Sequence, residues 1–161
     1  FDKIVLRESK GYANYIAGRA DFVQPLIVEA MQSTGTAPEQ AAQRLREFLD
    51  SDRFGGLPFV KIHSRLLATI FTASGQSAHS RTIRESDGTD VDHAATFLPY
   101  FDTFVADTFF ATAIRQHGFD RQFGTRVLGT GEANTLITLI EGAIADSPHA
   151  ALVAKIRAAT D

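Results

Sequence analysis

The chain has no cysteine. Disulfides, thiolate nucleophiles and cysteine-based zinc sites are therefore excluded, and the absence fits a cytoplasmic protein. No apolar run approaches the roughly 20 residues that a bilayer-spanning helix needs, so a membrane partner is not expected. No basic-then-apolar leader stands at the start, which is Phe1 rather than Met. The strong basic excess of a nucleic-acid scaffold is missing too, since net charge is −3. Walker, GxGxxG and HxxxH patterns and a nucleophile elbow are all absent, as are internal repeats.

What is present is ordinary in composition: 161 residues, 44% hydrophobic and 22% charged. That suffices for one globular domain with a sizeable core. Charge is uneven, with +2 over 1–86 and −5 over 87–161. Such a split is compatible with an acidic metal pocket beside a phosphate-gripping shoulder, and equally with surface variation.

The first half reads as helices. Residues 1–8 hold Ile4, Val5 and Leu6, too short a run to choose between strand and helix. Asp21 suits the N-cap of a helix to Gln32. Thr36, Pro38 and Glu39 form a capping-box start for the next. A buried helix is predicted over 59–73. The polar, Ser-rich stretch 74–88 reads as a flexible loop. Beyond it the pattern changes. A short helix over 92–98, capped by Thr89 or Asp90, precedes a buried strand at 101–106. A helix over 108–117, closed by Gly118, leads to a second strand at 126–129. A helix over 132–145 follows, with Leu136, Ile137, Leu139 and Ile140 inside, and a last one starts at Ser147. Strands alternating with helices in short units predict a parallel sheet.

The chemistry concentrates in 89–110, where Asp90, Asp92, Asp102 and Asp107 lie among aromatics. Sites in open parallel sheets form beyond the carboxyl ends of strands, and Asp107 follows the strand directly. Carboxylate oxygens favour Mg²⁺ or Mn²⁺. Each Asp also has a plainer role available: helix cap for Asp107 and for Asp90 or Asp92, solvated strand edge for Asp102. Of the five histidines, only His93 falls near this stretch. Gly129-Thr130-Gly131 has only a faint likeness to a phosphate loop.

The run 90–107, DVDHAATFLPYFDTFVAD, resembles the C-terminal part of PIN-like proteins. Its LPY-x-D-x-x-x-x-D form resembles that of a bacterial PIN-like subgroup, and the likeness spans about 62–144. The resemblance implies an α/β Rossmannoid domain over 1–161, with a short parallel sheet flanked by helices and a helix-rich N-terminal half. It implies a metal-dependent nuclease acting on RNA, with acidic residues around Mg²⁺ or Mn²⁺. By position, Asp107 matches the Asp after the strand, Asp90 or Asp92 the helix-opening Asp, and Asp102 an Asp of the subgroup. Glu8 or Glu29 would be the mid-chain acid. The family's opening strand with its own Asp has no counterpart here; it is expected upstream if the chain is a fragment, and the metal site is degenerate if the chain is complete.

The expectation is thus a ribonuclease with Asp107, Asp92, Asp90 and Asp102 as its catalytic acids. Asp107, Asp92, Asp102 and Glu8 would supply the metal ligands, and Arg81 or Arg84 would grip phosphate. The alternatives are a non-catalytic protein- or nucleic-acid-interaction module on the same fold, working as a homodimer or with a partner protein, and a mainly helical partner-binding protein if 101–106 is not a strand.

Overall fold

In the computed structural model, which describes residues 1–18, 23–75 and 82–146, the spine is the helix α5, Pro58–Gly75. Its buried residues are Val60, Ile62, Ser64, Leu66, Ala68 and Ile70. Burial of every second residue is the rhythm of a strand, yet the segment is helical. At about 100° per residue, positions two apart point to nearly opposite sides. One side of α5 therefore carries Val60, Ser64 and Ala68, and the other Ile62, Leu66 and Ile70.

Two cores account for this. Val60 joins Ala13, Leu45, Leu49 and Phe54, from the helices α1 (Asp2–Gly18), α3 (Pro38–Leu49) and α4 (Asp52–Gly55). Helix α2, Val23–Ser33, adds half-buried Ile27, Val28 and Met31. Ile62, Leu66 and Ile70 join a second cluster, with Val91, Leu98, Phe110, Ile114, Phe119 and Val127 among its members. Ser64 is tolerated inside because its hydroxyl donates to the Val60 carbonyl, 2.6 Å away.

The start of the chain is helix, not strand. Thr36 does not cap α3; Ala37 occupies the N-cap with no side-chain bond, and Pro38 begins the helix. Proline's fixed φ and the acidic first turn suffice there. The expected cap at Asp21 lies outside the described residues.

Helix α6, Ser86–Phe97, starts well before the expected 92, inside the stretch read as loop. Thr89 and Asp90 therefore sit within the helix and cap nothing. The buried Asp87 works at this end instead, accepting the Arg84 amide at 2.9 Å.

Strand β1, Thr103–Val105, leads to α7, Thr108–Gln116, and α8, Phe119–Phe123, and then to β2, Arg126–Leu128. The strands pair in parallel, Phe104 opposite Val127. Both are shorter than predicted; among the described residues they make a two-stranded sheet in a mostly helical chain. The premise of the mainly helical alternative, absence of this strand, is therefore not met. Gly118 stops α7 as expected: it adopts φ +69°, a conformation open to glycine at little cost. Thr125, buried, donates to the Leu98 carbonyl at 2.7 Å and ties the entry of β2 to the end of α6.

A 3-10 turn, Thr130–Glu132, then opens α9, Ala133–Ala145. Ile137 and Ile140 are exposed rather than inside, because among the described elements α9 packs chiefly on the turn before it. The helix expected from Ser147 lies outside the described residues. Among those described, no helix is long and apolar enough to cross a membrane.

Candidate functional site

Two residues beyond β1, the chain turns into α7 at Asp107. Its backbone is extended, and Oδ1 accepts the Phe110 amide at 2.8 Å. This is an N-cap, the plainer of its two roles. Capping does not exhaust the group, because a carboxylate has a second oxygen and about four acceptor sites.

Asp107 lines a cleft of about 160 Å³ together with Asp90 and His93 of α6, and Phe97, Phe104 and Phe110 form much of the rest. Asp90, His93 and Phe97 recur at helical spacing and so share a face. The cleft lies beyond the carboxyl end of β1, where open parallel sheets carry their sites. The same end of the sheet is closed by a second turn. Thr108 Oγ1 lies 3.1 Å from Thr130 Oγ1, linking the turns that follow β1 and β2. Glu132 accepts the Gly129 amide at 2.8 Å and pairs with Arg115 of α7 at 2.6 Å. Those bonds hold the exposed Glu132 carboxyl below its usual range, the Gly129 amide acting most strongly.

The other candidate acids are elsewhere. Asp92 is two positions from Asp90, so it leaves α6 on nearly the opposite side. It reaches His63 of α5, Oδ1 to Nε2 at 3.3 Å. A shallow groove past Tyr12, Tyr15 and Phe59 includes it, and Asp107 does not. Glu8 belongs with this second group: on α1 it pairs with Arg7 at 2.7 Å and acts electrostatically on His63. Burial lowers the pKa of His63, and Asp92 and Glu8 oppose that shift without cancelling it. His63 Nδ1 is buried without a hydrogen-bond partner among the described residues. Burial, together with nearby Asp92 and Tyr15, raises the Tyr12 hydroxyl above its ordinary value.

Asp102 is exposed at the opposite end of β1, where its backbone carbonyl accepts the Arg126 amide at 2.8 Å. At about 3.3 Å per extended residue, it stands roughly 15 Å from Asp107. Arg84 is exposed ahead of α6 and does not line the cleft. Arg81 lies outside the described residues.

The structure thus brings Asp90 and Asp107 together and leaves Asp92, Asp102 and Glu8 apart from them. Among the described residues, no three His, Asp or Glu side chains converge as a ready-made metal site. A larger cleft of about 320 Å³ runs past Ser9, Lys10, Asp50 and Asp52, between α1 and α4, away from the sheet. Phe97, Phe104 and Phe110 belong to the aromatics that surround the aspartates in sequence, and the 90, 93, 97 spacing is the sign there that puts Phe97 on one face with Asp90 and His93. No protein-family model, curated protein or solved structure matches this chain.

Proposed function

We propose that the chain is a metal-dependent ribonuclease of PIN-like type, a Rossmannoid α/β fold with an enlarged helical part, acting in the cytoplasm. The observation that carries this reading is the cleft shared by Asp90 and Asp107 beyond the carboxyl end of β1. Two carboxylates suit Mg²⁺ or Mn²⁺, because such ions keep several waters and take further ligands from substrate phosphates.

Asp90 and Asp107 would hold the ion, which when bound would supply an activated water and a clamp on the phosphodiester. The chain's own groups do the rest. The Phe110 amide fixes the rotamer of Asp107. Phe97, Phe104 and Phe110 wall the cleft with apolar surface and limit water. His93, one turn from Asp90, offers an imidazole to relay a proton. The N-terminus of α7, aimed past Asp107, favours negative charge on an arriving phosphate.

The second reading is a non-catalytic interaction module on a degenerate PIN-like fold. It is favoured by the complete cap at Asp107 and by the want of a third converging ligand among the described residues. Labelled single-stranded RNA incubated with Mn²⁺ separates the two. Cleavage that EDTA stops supports the nuclease. Intact RNA, with no calorimetric sign of Mn²⁺ binding at millimolar metal, leaves the interaction module.

A further inference from the structure

Asp92 and His63 belong to a second place on the molecule, on the side of α6 turned away from the cleft. Three helices meet there, and each presents residues one turn apart. Glu8, Tyr12 and Tyr15 recur along one face of α1, Phe59 and His63 along α5, and Asp92 and Thr96 along α6. Between them runs an open groove of about 540 Å³, lined by Tyr12, Tyr15, Phe59, Asp92 and Thr96. The Tyr12 ring centre lies 6.1 Å from that of Tyr15 and 5.2 Å from that of Phe59. Core packing accounts in part for Tyr12 and Phe59, since both are half-buried against the amino-terminal core. It does not account for Tyr15, which is 52% exposed and, among the described residues, joins neither core cluster.

The charge in this groove is negative. Among the described residues no Lys or Arg lines it, whereas Asp92 does, with a side chain 61% exposed. The titration of its neighbours carries the same sign. After burial, Asp92 is the strongest influence raising the Tyr12 hydroxyl, and Asp92 and Glu8 oppose the burial that lowers His63. Above that lowered pKa the His63 ring does not cancel the Asp92 charge, although Nε2 lies 3.3 Å from Oδ1. We propose that Tyr12, Tyr15, Phe59 and Asp92 form a binding site for an alkylammonium group. The lining selects this class. A cation is attracted both by electron-rich rings and by a carboxylate. An anion is repelled by Asp92. A neutral apolar group would suit the rings but would strip water from Asp92 and put nothing in its place. The cation can arrive on a small quaternary amine or on a methylated lysine side chain, which present the same chemistry. The groove is separate from the cleft of Asp90 and Asp107, and the inference does not rest on the nuclease reading.

The test is isothermal titration calorimetry at about pH 8, above the histidine range. Choline and a short peptide carrying trimethyl-lysine are the two probes. The control is the uncharged carbon analogue of choline, in which a tert-butyl group replaces the trimethylammonium. At least one cationic probe is expected to bind saturably, and the tighter of the two identifies the source of the group. The uncharged analogue should bind far more weakly. Asp92→Asn should weaken binding about 10-fold or more. Tyr15→Leu should weaken it about 2- to 30-fold, the range of one cation–π contact. Tyr15→Trp, which keeps a ring, should bind at least as well as the parent. Asp107→Asn should bind as the parent does, so that failure of the nuclease reading leaves this site standing. The proposal is overturned if neither cation binds, or if the uncharged analogue binds as tightly as choline. It is overturned too if Asp92→Asn and Tyr15→Leu, shown folded by circular dichroism, bind like the parent, or if Asp107→Asn abolishes binding.

Discussion

Asp90 and Asp92 stand two residues apart on one helix and serve different halves of the molecule. Asp90 faces the cleft of Asp107, and Asp92 faces His63 on α5. The pair cannot act as joint ligands for one ion, because two helical steps turn a side chain by about 200°. Asp90→Asn should therefore lower Mn²⁺-dependent RNA cleavage about 100-fold or more, since a metal clamp supplies several kcal/mol. Asp92→Asn should leave the rate within a few-fold. Equal losses in initial-rate assays would show that the cleft is not the site.

Asp107 has two roles that substitutions can separate. Asparagine still accepts the Phe110 amide, so Asp107→Asn should melt near the parent while cleavage stops. Asp107→Ala removes the cap as well and should cost about 0.5–2 kcal/mol in urea denaturation. If the asparagine variant cleaves normally, Asp107 is a cap and nothing more.

Two histidines make stability sensitive to acid. Burial lowers His63 and His117 below the ordinary value of 6.5, with Arg65 adding to the effect at His117. His117 Nε2 also contacts Thr69 Oγ1 at 2.8 Å. A folded-state pKa below the unfolded one gives stability that is full above the unfolded value and is lost as pH falls through the folded one. The melting midpoint should therefore drop on going from pH 7 to pH 5. Asp92 opposes the shift at His63, so Asp92→Asn should steepen that drop; a shallower profile for the variant contradicts this account.

Leu66 is fully buried on the side of α5 that faces α6 and α7. Leu66→Ala should cost about 2–5 kcal/mol, the loss of its transfer free energy plus the cavity left behind. A change under about 1 kcal/mol in denaturant titration would mean that the carboxyl-half core is not the packed body described.

Local chemistry that specifies its own ends was legible in the sequence. Asp107 opening α7 and Gly118 closing it follow from cap preferences and from glycine's access to positive φ. Burial in α5 was legible as a helix but not as two-sided, because the two partner cores come from distant segments. Ser86, Asp87 and Gly88 read as the end of the polar loop 74–88, which hides the start of α6, while the buried Asp87 bond to the Arg84 amide favours helix. That error carried into the site. With the helix taken to begin at 92, Asp90 lay outside it, and the rule that separates Asp90 from Asp92 could not be applied. The second acidic group, at His63, depends on α1 and α5 packing together and had no local sign.

The two-sided spine bears on which parts of the chain the cleft depends on. None of the described residues among the first 57 lines it, yet α5 buries Val60 among α1, α3 and α4, and its opposite side holds α6 in place. The amino-terminal helices thus act as a brace. Loosening them would let α6 rotate and carry Asp90 out of register with Asp107. Substitutions far from the carboxylates should then be felt there as misalignment, and the two halves should unfold as one cooperative body.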